Sequence, residues 1–377
     1  MNQKTTKIFS DFFRHESTSS LVLLFVTLFS FFIANSSLGE LYSSLIRQWH
    51  LHEWINDGLM TFFFLLIGLE IERELYVGEL ANIKNALLPL IAALGGMAMP
   101  ALIHFSLNYN TDTVSGFGIP VATDIAFSLA VLSALGKKIP FSLKIFLTAL
   151  AIVDDLGAIS LIVLFYSKGF SVFYFAASMV FYALLIMCNR LNVKAIAPYM
   201  LLALPMWYFM FCSGVHPTIC GILIAFAVPF CDDAAFSPSH RLEMALQKPV
   251  AFVVLPLFAL VNTGIYLDVS LQEALSSLNS LGIILGLVVG KPLGIVLFCY
   301  FAIRLKVCDL PTGTHFGQLL GVGLLAGIGF TMSIFIALLA FDDSALIQQS
   351  KLAILVGSTI AGALGYFILR FQNYRSI

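Results

Sequence analysis

The sequence predicts an all-α polytopic membrane protein of about twelve transmembrane helices, and three observations predict it. Of 377 residues, 59% are hydrophobic and 11% charged, where a soluble domain carries roughly 25% charged residues. Apolar runs recur along the whole chain, most of them near the roughly 20 helical residues that cross a bilayer. Lys and Arg also alternate from loop to loop. A net charge of −1 offers no basic face for nucleic acid. The six Cys are scattered with no CxxC, which predicts packed apolar thiols and neither a disulfide framework nor a zinc site.

The spans fall at about 18–35, 55–76, 86–108, 113–135, 141–167, 170–190, 195–213, 215–230, 248–268, 279–303, 318–340 and 349–371. The first follows a charged N-terminus and imitates a signal peptide, but equally apolar runs follow, so a retained span is expected. The longest polar stretches are the first 17 residues, Ser36–Glu53 and Cys231–Gln247. None separates soluble domains, so a single membrane domain, 1–377, is expected. Of the 20 Lys and Arg residues, sixteen fall on the N-terminal side, three (Arg47, Lys168, Lys351) on the other, and Lys291 lies inside a span. The positive-inside rule then puts both termini in the cytoplasm.

Span two ends in Glu70, Glu72, Arg73 and Glu74, a solvated helix end on its own terms. His104, near the outer end of span three, reads as structural. Span four, VSGFGIPVATDIAFSLAVLSAL, carries Gly116, Gly118 and Pro120 just before Thr123 and Asp124. Pro120 removes a backbone donor and turns Ile119 from helical geometry. Breakers beside a carboxylate predict an interrupted helix, tolerated at membrane depth only where backbone lines a cavity or is buried in protein.

Span five, FSLKIFLTALAIVDDLGAISLIVLFYS, sets Asp154 and Asp155 side by side in hydrocarbon. One ionised Asp there costs about 2.5–3.5 kcal/mol, and like-charge repulsion adds to it. The pair is the default functional site. His216, opening span eight, reads as interfacial. Lys291 has about two apolar turns on each side in span ten, too deep for simple snorkelling, and calls for a carboxylate partner. Span eleven carries Gly321, Gly323, Gly327 and Gly329. Close packing through small residues accounts for such glycines taken alone. Spans four and eleven, however, are each the middle of a three-span group, and matched interruptions in two halves mark a transporter's binding site.

Five stretches, FFFLLIGLEIERELYVGEL (62–80), PVATDIAFSLAVL (120–132), LKIFLTALAIVDDLGAISLIVLFY (143–166), GKPLGIVLF (290–298) and GIGFTMSIFIALLAF (327–341), closely resemble the NhaA family of sodium/proton antiporters, in the same order along essentially the whole chain. The resemblance implies inverted three-helix repeats at about 86–167 and 279–371, with spans four and eleven unwound and crossing. Interface and dimer elements would lie at about 18–76 and 170–268. It implies Asp154, Asp155 and Thr123 as Na+ and proton ligands, with Asp154 salt-bridged to Lys291 and Asp155 the principal ligand. Asp124 and Lys291 would balance the half-helix ends, each carrying about half a charge. It implies no cofactor beyond the transported Na+ or Li+ and H+, membrane lipid as surroundings, a homodimer joined by a small hairpin between the first two spans, and the bacterial cytoplasmic (inner) membrane.

Sodium is a hard cation suited to oxygen ligands. A buried carboxylate pair that must be covered by sodium or by protons couples the two. Two protons per sodium would make exchange electrogenic, the second coming from Asp154 or from Lys291. The resemblance also implies a cytoplasmic pH-responsive cluster of Glu70, Arg73, Glu74, Glu243 and Lys248, with His216 a further candidate. RLEMALQKP (241–249) departs from it: Met244 and Gln247 stand where well-known members have His, the side chain that titrates near physiological pH. A shifted or broadened pH profile is therefore expected. Three rivals remain at this point. An intramembrane aspartyl protease needs its two Asp on facing helices, and a prenyltransferase wants a third spaced carboxylate that DDLGA lacks. A sodium-coupled symporter of an organic solute shares the broken helices.

Overall fold

The computed structural model describes residues 3–136, 139–167, 169–231, 237–266 and 271–374, with the side chains of 3–17, 271, 273, 373 and 374 left aside. Lys4, Lys7, Arg14, Lys137, Lys138, Lys168 and Arg375, which enter the orientation argument, lie outside the described side chains. No strand occurs among the described residues. The helices are α1 (Gln3–Ala34), α2 (Gly39–Gln48), α3 (Leu51–Tyr76), α4 (Ile83–Leu107), α5 (Ile125–Ala134), α6 (Phe141–Phe165), α7 (Val172–Arg190), α8 (Ala197–Cys212), α9 (Ile219–Ala227), α10 (Pro238–Asn262), α11 (Leu271–Ser276), α12 (Leu278–Arg304), α13 (Phe316–Ala326), α14 (Phe330–Ala340) and α15 (Ser344–Tyr374). Among the described residues eight helices, or ten stretches if each bent pair is one span, are long and apolar enough to cross a membrane.

Each of the twelve expected spans falls on a helical segment, with three differences. The expected span 215–230 is only the nine residues of α9, about 14 Å of helix against a core of about 30 Å. Pro217 precedes its start, and Val228 turns extended ahead of Pro229. Conversely, the expected span 248–268 begins ten residues early. Ser237 caps α10 by accepting the His240 N–H, and Pro238 occupies its first turn. Finally, the segment between the first two spans holds α2 and no hairpin, a correction to the expectation drawn from the resemblance. Tyr42 and Ile46 recur at helical spacing there, and Leu41 and Leu45 likewise.

The chain forms two compact units. One gathers Met1–Leu38, Asn82–Ala158 and Thr263–Ile377, so α1 joins the segments expected to form the repeats. Its α4 and α12 approach so closely that a Cβ on Gly294 would lie 2.6 Å from the Gly95 carbonyl carbon, the small-residue packing that membrane helices use. The other unit is Gly39–Ala81 with Ile159–Asn262. Its core is Leu65, Leu69, Tyr199, Met206, Met210 and Ile224.

Candidate functional site

Both interruptions are present, and both lie in the first unit. The first half of span four is a tight 3-10 segment, Val114–Val121. Ala122 is extended, and Asp124 is the N-cap of α5. In the second interrupted span, α13 ends at Ala326 and α14 starts at Phe330, with a bend of 48°. Hydrogen bonds stitch the two breaks together. The Asp124 N–H donates to Ile328 O at 2.6 Å. Ser333 Oγ donates to Ile119 O at 2.7 Å, and Ser128 Oγ to Leu325 O at 2.8 Å.

Asp124 serves both half-helices. Its Oδ1 accepts the Phe127 N–H of α5 at 3.2 Å, and its Oδ2 accepts the Thr331 N–H of α14 at 3.1 Å together with the Thr331 hydroxyl. One carboxylate thus faces two positive helix ends. Ser358 of α15 completes the second cap by accepting the Gly329 and Phe330 N–H groups at 3.2 and 3.3 Å.

Asp154 is fully buried on α6, as is Lys291 on α12. A widened π-helical turn, Gly286–Gly290, immediately precedes Lys291. Gly286 is required there, because a Cβ would lie 2.6 Å from Pro120 Cβ. The Lys291 ammonium reaches Asp154 Oδ2 at 3.0 Å and also donates to Val121 O, at the buried carbonyl end of the 3-10 segment. Thr123 Oγ lies 2.8 Å from Asp154 Oδ2 and 2.8 Å from Ala326 O, the carbonyl end of α13. A hydroxyl has one proton, so it serves one of these acceptors fully at a time. Asp154 Oδ1 has no hydrogen-bond partner among the described residues. Asp155 is 1% exposed and within electrostatic reach of Lys291. Thr123, Asp124, Asp154 and Lys291 are therefore brought together, with Asp155 beside them. Thr331, Ser333 and Ser358 were not singled out from sequence.

The second unit holds a separate charged cluster. Arg73 bridges Glu74 at 2.9 Å and Glu243 at 3.0 Å. Glu70 lies within electrostatic reach of all three. Ser239 donates to the buried Glu72 at 2.5 Å, and His240 Nδ1 lies 3.5 Å from Glu243 Oε2. Glu72 of α3 and Ser239 and His240 of α10 were not singled out as members from sequence, although Ser237-Pro238 is a legible helix start that places Ser239 and His240 on α10. Lys248 is exposed and makes none of these bonds. His216 is not in this cluster. It pairs with Asp57 at 3.3 Å and with Thr218 at 2.7 Å. His104 is buried against Asn279 at 3.2 Å, in keeping with a structural role.

A sequence-family model described as Na+/H+ antiporter 1 matches residues 10–369. The Na(+)/H(+) antiporter NhaA of Cytophaga hutchinsonii is 52% identical over 371 residues, covering 97% of this chain and 96% of its own. The protein of the same name from Flavobacterium psychrophilum is 52% identical over 375 residues, covering 98% and 97%. That from Vibrio parahaemolyticus is 45% identical over 373 residues, covering 97% of each.

Proposed function

The chain belongs to the Na+/H+ antiporter 1 family, and from that premise we propose that the buried carboxylates beside its two helix breaks carry the exchange of Na+ for H+. Membership makes it a multi-pass membrane transporter and not an enzyme, which sets aside the protease and prenyltransferase readings. Exchange without an organic solute is the family's activity, so the symporter reading falls as well.

The observation that carries the proposal is the charge balance around the breaks. Asp124 faces two half-helix N-termini, each worth about half a positive charge, and is balanced. Asp154 is balanced by Lys291 at 3.0 Å. Asp155, 1% exposed and within electrostatic reach of Lys291, is a third buried carboxylate beside that one lysine. Three buried carboxylates sharing one site with a single lysine are relieved of repulsion and desolvation cost when a proton or a sodium ion joins them. Asp155, Asp154 Oδ1 and the Thr123 hydroxyl offer the hard oxygen donors that sodium prefers. Sodium here is cargo, held only until its release on the other side.

One sodium replacing one proton at Asp155 is electroneutral. An electrogenic cycle of two protons per sodium requires one more, released by Asp154 or Lys291 when sodium disturbs their pair. We assign Li+ as an alternative cargo, the cytoplasmic (inner) membrane as the location with both termini inside, and the Arg73–Glu243–His240 cluster as the pH-responsive element. The test is flux in proteoliposomes carrying a pH-sensitive dye. A sodium pulse with no organic solute dissipates a preformed pH gradient for the wild type and not for Asp155→Asn. Wild-type-like flux by that variant removes Asp155 from the mechanism.

A further inference from the structure

The segment between the first two spans carries a surface that the exchange does not use. At 3.6 residues per turn, α2 divides into three arcs. Gly39, Tyr42 and Ile46 face protein: Gly39 and Ile46 are buried, and the Tyr42 hydroxyl donates to Leu260 O. Glu40, Ser44 and Arg47 form an exposed polar arc. Between them lies an exposed apolar arc of Leu41 (57% exposed), Leu45 (45%) and Trp49 (66%). Trp49 continues the helix, its N–H donating to Leu45 O at 3.2 Å. The exposed surface of this helix is thus built for two different media.

The geometry of the second unit says where those media meet. Leu260 lies at the C-terminal end of α10, which the Asn262 amide ties to the start of α3 through Asn56 at 2.8 Å. Two spanning helices therefore begin or end beside α2, at the level where hydrocarbon gives way to headgroups. A ten-residue helix is about 15 Å long, half the hydrocarbon thickness of about 30 Å, so α2 does not span. Tryptophan favours that boundary. Three side chains also offer far less apolar surface than the roughly 800 Å² per partner of a stable protein interface.

We propose that α2 is an interfacial helix lying in the plane of the membrane, with the Leu41–Leu45–Trp49 arc seated on phospholipid among the acyl segments just below the headgroups. The occupant is lipid, not a second copy of this chain. With no hairpin between the first two spans, this segment anchors the external ends of α3 and α10 to the membrane surface.

The test uses the full-length protein in phosphatidylcholine nanodiscs containing lipids with a nitroxide at acyl position 5 or at position 12. The chain has three Trp, and the difference between wild type and Trp49→Phe isolates the Trp49 emission. It is expected to be quenched at least twofold more by the shallow nitroxide than by the deep one, and to be shielded from aqueous iodide. Leu41→Glu/Leu45→Glu is expected to reverse this, with iodide gaining access. Quenching of wild-type Trp49 by iodide, or predominantly by the deep nitroxide, overturns the proposal. So does shielding from lipid and water together, with the double substitution converting a dimer to a monomer in light scattering. The Trp49→Phe difference decides the matter even if the double variant fails to fold.

Discussion

Replacing Asp124 by Asn tests whether one carboxylate holds both broken helices. The asparagine keeps a single carbonyl oxygen and presents an NH2 group in place of the other. One of the two caps, the Phe127 N–H at 3.2 Å or the Thr331 N–H at 3.1 Å, then faces a donor. A buried polar group left without its bond costs about 1–3 kcal/mol. The lost charge removes its attraction to two helix ends, each worth about 0.3–1 kcal/mol and up to about 2 in favourable buried geometry. These terms are not independent, and about 2–4 kcal/mol is the combined expectation. Shared between folding and ion binding, that lowers Tm by several degrees and raises the apparent KM for sodium about tenfold or more, at 1.4 kcal/mol per decade. Thr331→Ala keeps the charge and loses only the hydroxyl bond, worth about 1.5–3 kcal/mol at most, so its effect is smaller. The assays are thermal unfolding in detergent and sodium-dependent dye dequenching in proteoliposomes. An unchanged Tm and KM in Asp124→Asn refutes the reasoning, as does Thr331→Ala being equally damaging.

Lys291→Met leaves Asp154 buried without its cation and is expected to destabilise by about 3–5 kcal/mol; Asp154→Asn/Lys291→Met, which removes both charges, is expected to recover most of that Tm, as thermal unfolding would show. Thr123→Val deprives Asp154 and Ala326 O of their shared donor and is expected to raise the sodium KM about tenfold, roughly the 1–1.5 kcal/mol of one net hydrogen bond, while Thr123→Ser stays within about threefold by the same reasoning. His240 Nδ1 lies 3.5 Å from the Glu243 carboxylate that Arg73 also holds. His240→Gln removes that contact, and the half-activation pH is expected to shift in a flux-versus-pH series. An unchanged profile would remove His240 from the pH response.

Much of the break site was legible because its residues are out of place. A Lys, three Asp and a Pro inside apolar spans have few bland explanations, and the glycines of spans four and eleven gain meaning from their matching positions. Thr331, Ser333 and Ser358 were not legible, since a hydroxyl in a membrane helix usually bonds back to its own helix. Thr27 and Thr359 do this here, donating to Leu23 O and Leu355 O. Only the tertiary fold turns the others into partners across the breaks, Thr331 and Ser333 as donors and Ser358 as a cap. Hydropathy overran α9 because it does not see what Pro217 and Pro229 do to the backbone. It missed the early start of α10 because that first turn is polar, although Ser237-Pro238 announces it. His240 was not legible because it lies in the polar stretch Cys231–Gln247, where a histidine is unexceptional.

Calorimetry of sodium binding, repeated in buffers of different ionisation enthalpy, counts the protons released per ion bound. The charge balance around Asp155 predicts between one and two released near the pH at which sodium and protons compete, and none from Asp155→Asn, which would bind sodium weakly or not at all. Sodium binding by the wild type across that pH range with no proton release would contradict the claim that one buried charge is covered by either cation in turn.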